Sequence, residues 1–513
     1  MSERIAAPPA VAQSAPSTRN ESYGLKNGIL SPLEILGQSV ANIAPTATPT
    51  VVIPLVFAVA GAGTWFAYLF ALVAVLLVSF SINQFARRSA SPGSIYTYIA
   101  TGLGPTWGIA VGWTLFIAYI GCASSVTTGF TNYVNVFAKD VFHLQDGLSP
   151  GALVAVLAVG VLGSWFVAYK DVQLSARLML GLELVSITFI LLVIGATLFH
   201  GGWRLDWTQL SLQGITVESL RLGLILAIFS FVGFESATSL GSEARSPLRT
   251  IPRAVSLSAV FVGLLFAISA YTQVLGFAGN DVPLDKSDAP LQVLSARAGV
   301  PFLGVLITVG AIISFFACVL ASITAGARVL FLLGRHGIFH SSLGGAHETN
   351  ETPHVAVTVS AVLAFVPAAV LTGLGENLFS IYGWIGTTAT LGFIVAYIAV
   401  SVAAPVYLYQ RQELRSWHIL ASLAAIAFMV VALVGATYPL PDAPNSYPIL
   451  AFVGLLGLGF AWGAIQYLTS SHVRGGIKDD LAAIKERFEV APASGKKPVS
   501  QATLNDDAVL ETP

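Results

Sequence analysis

The chain is 513 residues long, 55% hydrophobic and only 10% charged, with a formal net charge of -1 and a mean hydropathy of +0.77. Soluble domains carry about 25% charged residues, so the composition excludes a soluble globular protein and indicates a membrane protein, which the long apolar runs described below make all-α and polytopic. The near-neutral balance offers no electrostatic footprint for nucleic acid. With no Walker A sequence, metal-ligand spacing or nucleophile–base constellation, no enzyme chemistry, cofactor or metal is expected.

Residues 1–28 read as a cytoplasmic tail, and their first 20 positions, rich in Ala, Pro, Ser and Thr, as disordered. They contain no apolar h-region, so no cleavable signal peptide is expected. Apolar runs long enough to cross the hydrocarbon core then recur about twelve times, at 33–58, 63–85, 105–137, 151–169, 176–199, 219–241, 254–277, 302–333, 355–373, 378–404, 417–437 and 448–469. With the N-terminus inside, only Lys139, Arg204, Arg221, Lys286 and Arg297 of the 25 basic residues fall outside. That bias places both termini on the cytoplasmic side of the plasma or inner membrane.

Four divisions follow: the tail 1–28, a core 29–410, a pair of helices at 411–470, and a C-terminal segment 471–513. In the last of these, Ile477, Leu481, Ile484 and Phe488 recur at helical spacing among charges, which predicts a short amphipathic helix. It either lies on the inner membrane face or simply caps the bundle. Beyond it, residues 491–513 read as disordered. The loop 278–300 predicts a short helix across the outer face, as a partial lid or a plain connector. Cys122 and Cys318 each lie in an apolar run far apart in sequence, and are expected as small buried hydrophobes rather than a disulfide or ligands.

Two spans are poor recipes for an unbroken helix. Residues 226–243, LAIFSFVGFESATSLGSE, place Gly233 between apolar neighbours and then Glu235 at bilayer depth. An embedded carboxyl costs roughly 2.5 kcal/mol or more and marks a functional site by default. Span one carries Pro45, Pro49 and Pro54 with Thr46 and Thr48. Proline removes a backbone donor and clashes with the preceding turn, so residues 44–49 are expected either to unwind or to kink with neighbours satisfying the freed groups. The breaks fall in spans one and six, the first members of two successive five-span blocks at about 33–200 and about 218–405. Paired interruptions in corresponding halves point to a binding site near the midplane. Half-helix N-termini suit a carboxylate there and unwound carbonyls suit an ammonium group.

FSFVGFESATSLGSEARSPLRTIPRAV, residues 229–255, resembles the sixth span and following loop of the amino acid-polyamine-organocation (APC) transporters almost residue for residue. SPGSIYTYIATGLGP with GIAVGW, SITAGARVLFLLGRHG and TPHVAV resemble the same family at spans three, eight and nine. The resemblance covers about residues 30–470. It implies a five-plus-five inverted-repeat core with helices one and six broken, plus two extra C-terminal helices. One stretch departs from the family: where a Gly-Ser-Gly-Ile-Phe type loop is usual in span one, this chain has Pro45-Thr46-Ala47-Thr48-Pro49.

The resemblance implies that the substrate's α-amino group meets carbonyls of Phe231 and Phe234, with Val232 and Gly233 in the same break, and of span one around Ala44, Pro45, Thr46, Ala47 and Thr48. Phe229 or Phe231 would close over the substrate, with Tyr119, Trp384 and Thr387 as further walls. Glu235 is a candidate to bind a cationic substrate, to couple span six to span three, or to take up a coupling proton; a purely structural pairing with hydroxyls is the remaining reading. Glu183 either stands near the position where proton-coupled relatives carry a lysine or pairs with Arg177. Sodium coupling would instead use span-one carbonyls with Ser322 and Thr324.

The expected protein is a secondary active transporter of amino acids or related amines, working by alternating access with a coupling ion, H+ in preference to Na+. An amino acid/polyamine exchanger, a sodium-coupled carrier and a non-transporting sensor are the alternatives. Its partners are then the small substrate, the ion and the bilayer. Substrate identity and oligomeric state are not legible in the sequence.

Overall fold

The computed structural model describes residues 23–144, 146–212, 214–287 and 289–488. The tails expected to be disordered, 1–20 and 491–513, lie outside these described residues. Among the described residues, ten helices are long and apolar enough to cross a membrane. One of them, Pro32–Ala86, contains two crossings, because the chain reverses at Gly61–Gly63. Gly61 makes the reversal at φ +52°, ψ −129°, a backbone conformation that favours glycine. A further crossing, Val217–Phe229 followed by Ser236–Leu240, is too interrupted to count as one long helix. The described residues therefore make twelve crossings, which we call spans one to twelve.

Neighbouring side chains fix the relative directions of the spans. Gly37 faces Leu180 and Thr46 meets Ser186, so spans one and five run parallel. Ser79 meets Ser256 and the Tyr68 ring packs at a tilt against Phe266, so spans two and seven run antiparallel. Gly392 packs on Ala118 and Gly121 on Ala389, which makes spans three and ten antiparallel as well. All of these directions fit an unbroken alternation through twelve crossings. Small residues occupy these crossings because, without water to exclude, close backbone approach is what holds membrane helices together.

The contacts also repeat when every span is shifted by five. Span seven reaches span one through Gln273 and Pro49, and span two reaches span six through Tyr68 and Ser230. Span one meets span five at Thr46 and Ser186, and span six meets span ten at Glu235 and Tyr397. Gly310 of span eight packs on Phe189 of span five, as Gly121 of span three packs on Ala389 of span ten. Spans one to five and six to ten are thus two copies of one arrangement, inverted and interlocked. Span three lies at the centre, with its most apolar window 89% buried, whereas that of span eleven is 22% buried. Leu420, Leu423, Leu450 and Leu458 on spans eleven and twelve are exposed, as a lipid-facing periphery requires.

The bundle end that carries both described ends of the chain is tied shut by polar contacts. Leu30 and Ala244 form an isolated bridge between the segments flanking spans one and six. Arg328 donates to Glu243 at 2.9 and 2.7 Å, Arg177 to Glu34 at 2.7 Å, and Lys26 pairs with Asp171. The alternative pairing of Arg177 with Glu183 is therefore not made. The amphipathic helix forms as Ser471–Phe488. Val473 and Ile477 are buried, and Asp480 accepts from Tyr23 at 3.0 Å and contacts His336 at 3.2 Å, so the helix docks on the protein itself. The expected helix of the 278–300 loop forms as Pro290–Arg297, packed on spans five, seven and eight through Leu291 and Leu294.

Candidate functional site

Span one opens in the middle. Helix Pro32–Ile43 ends at Ala44, which adopts φ +52°, ψ +68°, a left-handed conformation that costs an L-residue roughly 1–2 kcal/mol. A wide turn, Thr48–Val52, follows before the helix resumes at Ile53–Ala60. The freed carbonyls find side-chain donors: Thr50 donates to Thr46 C=O at 2.7 Å, and Gln273 of span seven to Pro49 C=O at 2.8 Å. The amides of Thr46 and Thr48 have no backbone partner, and Pro45 and Pro49 have no N–H to give. Both expectations are met in part: neighbours satisfy the acceptors, while donors stay open at the start of a half-helix.

Span six opens opposite. Helix Val217–Phe229 ends in a series of turns, Gly233 lies at φ +88°, and Ser236–Leu240 continues as a tight 3-10 turn. The Gly233 N–H donates to the Tyr397 hydroxyl at 3.1 Å, while neither the N–H nor the C=O of Val232 has a backbone partner. A Cβ on Gly233 would fall 1.8 Å from Asn42 Nδ2, so the span-one amide side chain fills the space that the glycine leaves. Ser322 of span eight donates to Asn42 Oδ1 at 2.8 Å, and Asn42 Nδ2 is buried without a protein partner.

Between the breaks is a cavity of about 220 Å³. Ala44, Ala47, Thr48, Phe229, Val232 and Thr387 line it. The other sequence-derived positions lie behind that surface. Pro45 is the turn residue between Ala44 and Thr46, and the Thr46 hydroxyl is turned to Ser186 at 2.7 Å. Phe231 packs edge-on against Phe266, and Phe234 against Tyr397. Gly233 lies under Asn42 and Tyr119 is turned to Glu235. Trp384 points to the far side of span ten, where its indole donates to Asn445 at 3.2 Å.

Sequence reasoning missed Asn42, Ser125, Tyr382 and both cysteines, all of which line the cavity. Cys122 and Cys318 are free and buried, as expected of small apolar residues, yet they face the same space from spans three and eight. Asn42 carried a usable signal, the last amide side chain of the run before the proline break at Pro45. Ser125 and Tyr382 carried none, because which side of a long buried helix faces a cavity depends on its partners.

The two embedded acids are held differently. Glu235, fully buried, accepts from Tyr119 of span three at 2.7 Å and from Tyr397 of span ten at 2.5 Å. Because Tyr397 also accepts from the Gly233 amide, one hydroxyl connects the carboxyl to the broken backbone. Glu183 lies in a serine cradle, accepting from Ser314 at 3.0 Å and Ser186 at 3.3 Å. Of the two span-eight hydroxyls, Ser322 is committed to Asn42, and Thr324 has a buried hydroxyl without a partner.

The stretch that holds both backbone openings and the cavity between them falls within residues 34–444, which match the amino acid permease family model. The chain belongs to the amino acid permease family. Among its relatives, this permease is 25% identical over 372 residues to the branched-chain amino acid permease BcaP of Bacillus subtilis, covering 69% of this chain and 76% of the relative. It is 29% identical over 310 residues to the low-affinity putrescine importer PlaP of Escherichia coli, covering 58% and 66% of the two chains. It is 24% identical over 447 residues to cationic amino acid transporter 4 of Mus musculus, covering 81% and 67%. These relatives place the permease in the APC superfamily, with its inverted-repeat fold of about twelve spans.

Proposed function

We propose that this permease is a secondary active transporter of amino acids or related amines across a cell membrane, with both termini cytoplasmic and the ligand held between the two broken spans. The observation that carries the reading is the pairing of open donors with open acceptors around one cavity. The unpartnered amide of Thr48, a residue of the cavity wall, lies at the start of a half-helix, whose positive end suits a carboxylate. Val232 of span six lines the same cavity with a C=O that has no backbone partner, and with Asn42 nearby it suits an ammonium group. Names of the relatives, an amino acid permease, a putrescine importer and a cationic amino acid transporter, support the same substrate range.

Alternating access moves the ligand without covalent chemistry, and a coupling ion drives it. The arrangement favours a proton. Ionised, Glu235 accepts from both Tyr119 and Tyr397; protonated, it must donate at one oxygen, so one tyrosine hydroxyl has to turn. Tyr397 then changes its hold on the Gly233 amide, which links proton binding to the shape of the break. Against sodium stands the use of the Ser322 hydroxyl by Asn42.

Counterflow in proteoliposomes tests the reading, with the cysteines as a built-in control. The chain has 2 cysteines and both line the cavity, so a methanethiosulfonate reagent marks that space in the native sequence. Exchange of an amino acid or amine, abolished by the reagent and protected by that substrate, is expected. Folded protein that binds such ligands and exchanges none of them is a sensor, and the transporter reading fails.

A further inference from the structure

The relatives differ in what they carry, and the cavity wall distinguishes the possibilities. Resting on the reading that this cavity is the transport site, we infer that the substrate is a small zwitterionic amino acid with an uncharged, apolar side chain, and that diamines and cationic amino acids are excluded.

Three observations lead there. First, among the described residues no charged side chain lines the cavity. The apolar part of the wall is built from Val51, Leu55, Val126, Leu226 and Phe379, and the polar groups present are neutral hydroxyls, thiols and an amide. Second, both acids of the membrane core are committed elsewhere. Glu235 is fully buried behind the span-six break with both oxygens taken by tyrosines, and Glu183 is enclosed by Ser186 and Ser314. Neither carboxyl reaches the lining. Third, the space is small: about 220 Å³, against roughly 300–1,000 Å³ for ordinary ligand pockets.

The consequence follows from desolvation. The open backbone groups answer one carboxylate and one ammonium, so the head of an α-amino acid enters with both charges met. A second ammonium, as in a diamine or lysine, or a guanidinium, would lose its water against valine, leucine and phenylalanine with no counter-ion, which is strongly unfavourable. A diamine also leaves the donors of span one without the carboxylate they fit. An aliphatic side chain, by contrast, replaces water against an apolar wall and gains by burial.

The test uses the full chain in proteoliposomes, with leucine, valine, alanine, lysine, arginine and putrescine as probes, each read by counterflow and by thermal shift in detergent. Leucine, valine or alanine should exchange and stabilise the protein, and lysine, arginine and putrescine should compete at least 100-fold more weakly. Putrescine, lysine or arginine competing as well as leucine overturns the inference while leaving the transporter reading intact. Stabilisation by the neutral probes with no exchange of any probe does the reverse: the selectivity stands and the transporter reading fails. Val126→Asp places a carboxylate in the wall and should shift the lysine-to-leucine ratio at least tenfold toward lysine. A folded variant with the wild-type ratio also overturns the inference, and if the variant does not fold, the wild-type panel decides alone.

Discussion

The amide of Asn42 occupies the place where a side chain on Gly233 would begin, 1.8 Å from the would-be Cβ, so the two broken spans are fitted together at one point of contact. The same asparagine is anchored to Ser322 of span eight, and the same glycine gives its N–H to Tyr397 of span ten. The breaks are therefore joined both to each other and to the spans around them.

Substituting Gly233→Ala loads this contact twice. The φ of +88° costs an alanine about 1–2 kcal/mol, and the new methyl group must displace Asn42. We expect substrate affinity to fall by about tenfold or more, since each 1.4 kcal/mol is a factor of ten, with folded protein still recovered from the membrane. Counterflow and size-exclusion chromatography read the two quantities separately. Wild-type exchange in the variant would place the ligand elsewhere.

Replacing Glu235→Gln keeps the shape of the buried group and removes its titration. Tyr119 and Tyr397 hold both oxygens, so the amide must accept one hydroxyl and donate to the other. Uptake driven by a proton gradient should drop at least tenfold, and exchange at equal pH on both sides by much less. Equal loss in both assays would make Glu235 a binding or structural residue and overturn the proposed coupling role.

The ion pair between Arg328 and Glu243 is 3% and 1% exposed, with Ser242 donating to the same carboxylate at 3.0 Å. Removing one partner leaves a buried charge uncompensated, which costs about 3–5 kcal/mol, whereas removing both is far milder. Arg328→Met should lower the melting temperature in detergent sharply, and Arg328→Met with Glu243→Gln should recover most of that loss. A double variant no more stable than the single one would mean that the pair is not isolated from its surroundings.

At the same end of the bundle, Asp171 caps span five. Partial burial raises its affinity for a proton, but the hydrogen bond from Lys26 and the amides of Leu174 and Gln173 outweigh it, and its carboxyl is held below the ordinary aspartate value of about 4. A depressed folded-state value contributes stability that is complete above the unfolded value and is lost as pH falls through the folded one. Asp171→Asn should therefore be less stable than the native protein at pH 7, with the difference shrinking only below about pH 4. Melting temperatures across pH 3–8 check this, and a difference that vanishes already near pH 6 would assign the effect to another group.

The sequence by itself determined the number, limits and alternation of the twelve spans, because bilayer thickness imposes a length on each apolar run and the chain must satisfy its backbone internally. It also located both breaks, since Pro45, Pro49 and Gly233 interrupt helices for reasons local to the backbone. Tertiary structure alone decided which side chains meet at those breaks. Glu235 is turned toward Tyr119 and Tyr397 and away from the cavity, Glu183 toward serines and not Arg177, and Cys122 and Cys318 come from distant spans to one wall. The reason is that a helix buried on every side carries no hydrophobic stripe to show its orientation. Facing is set by small residues such as Gly121, Gly326 and Gly392, whose neighbours lie hundreds of positions away in the chain.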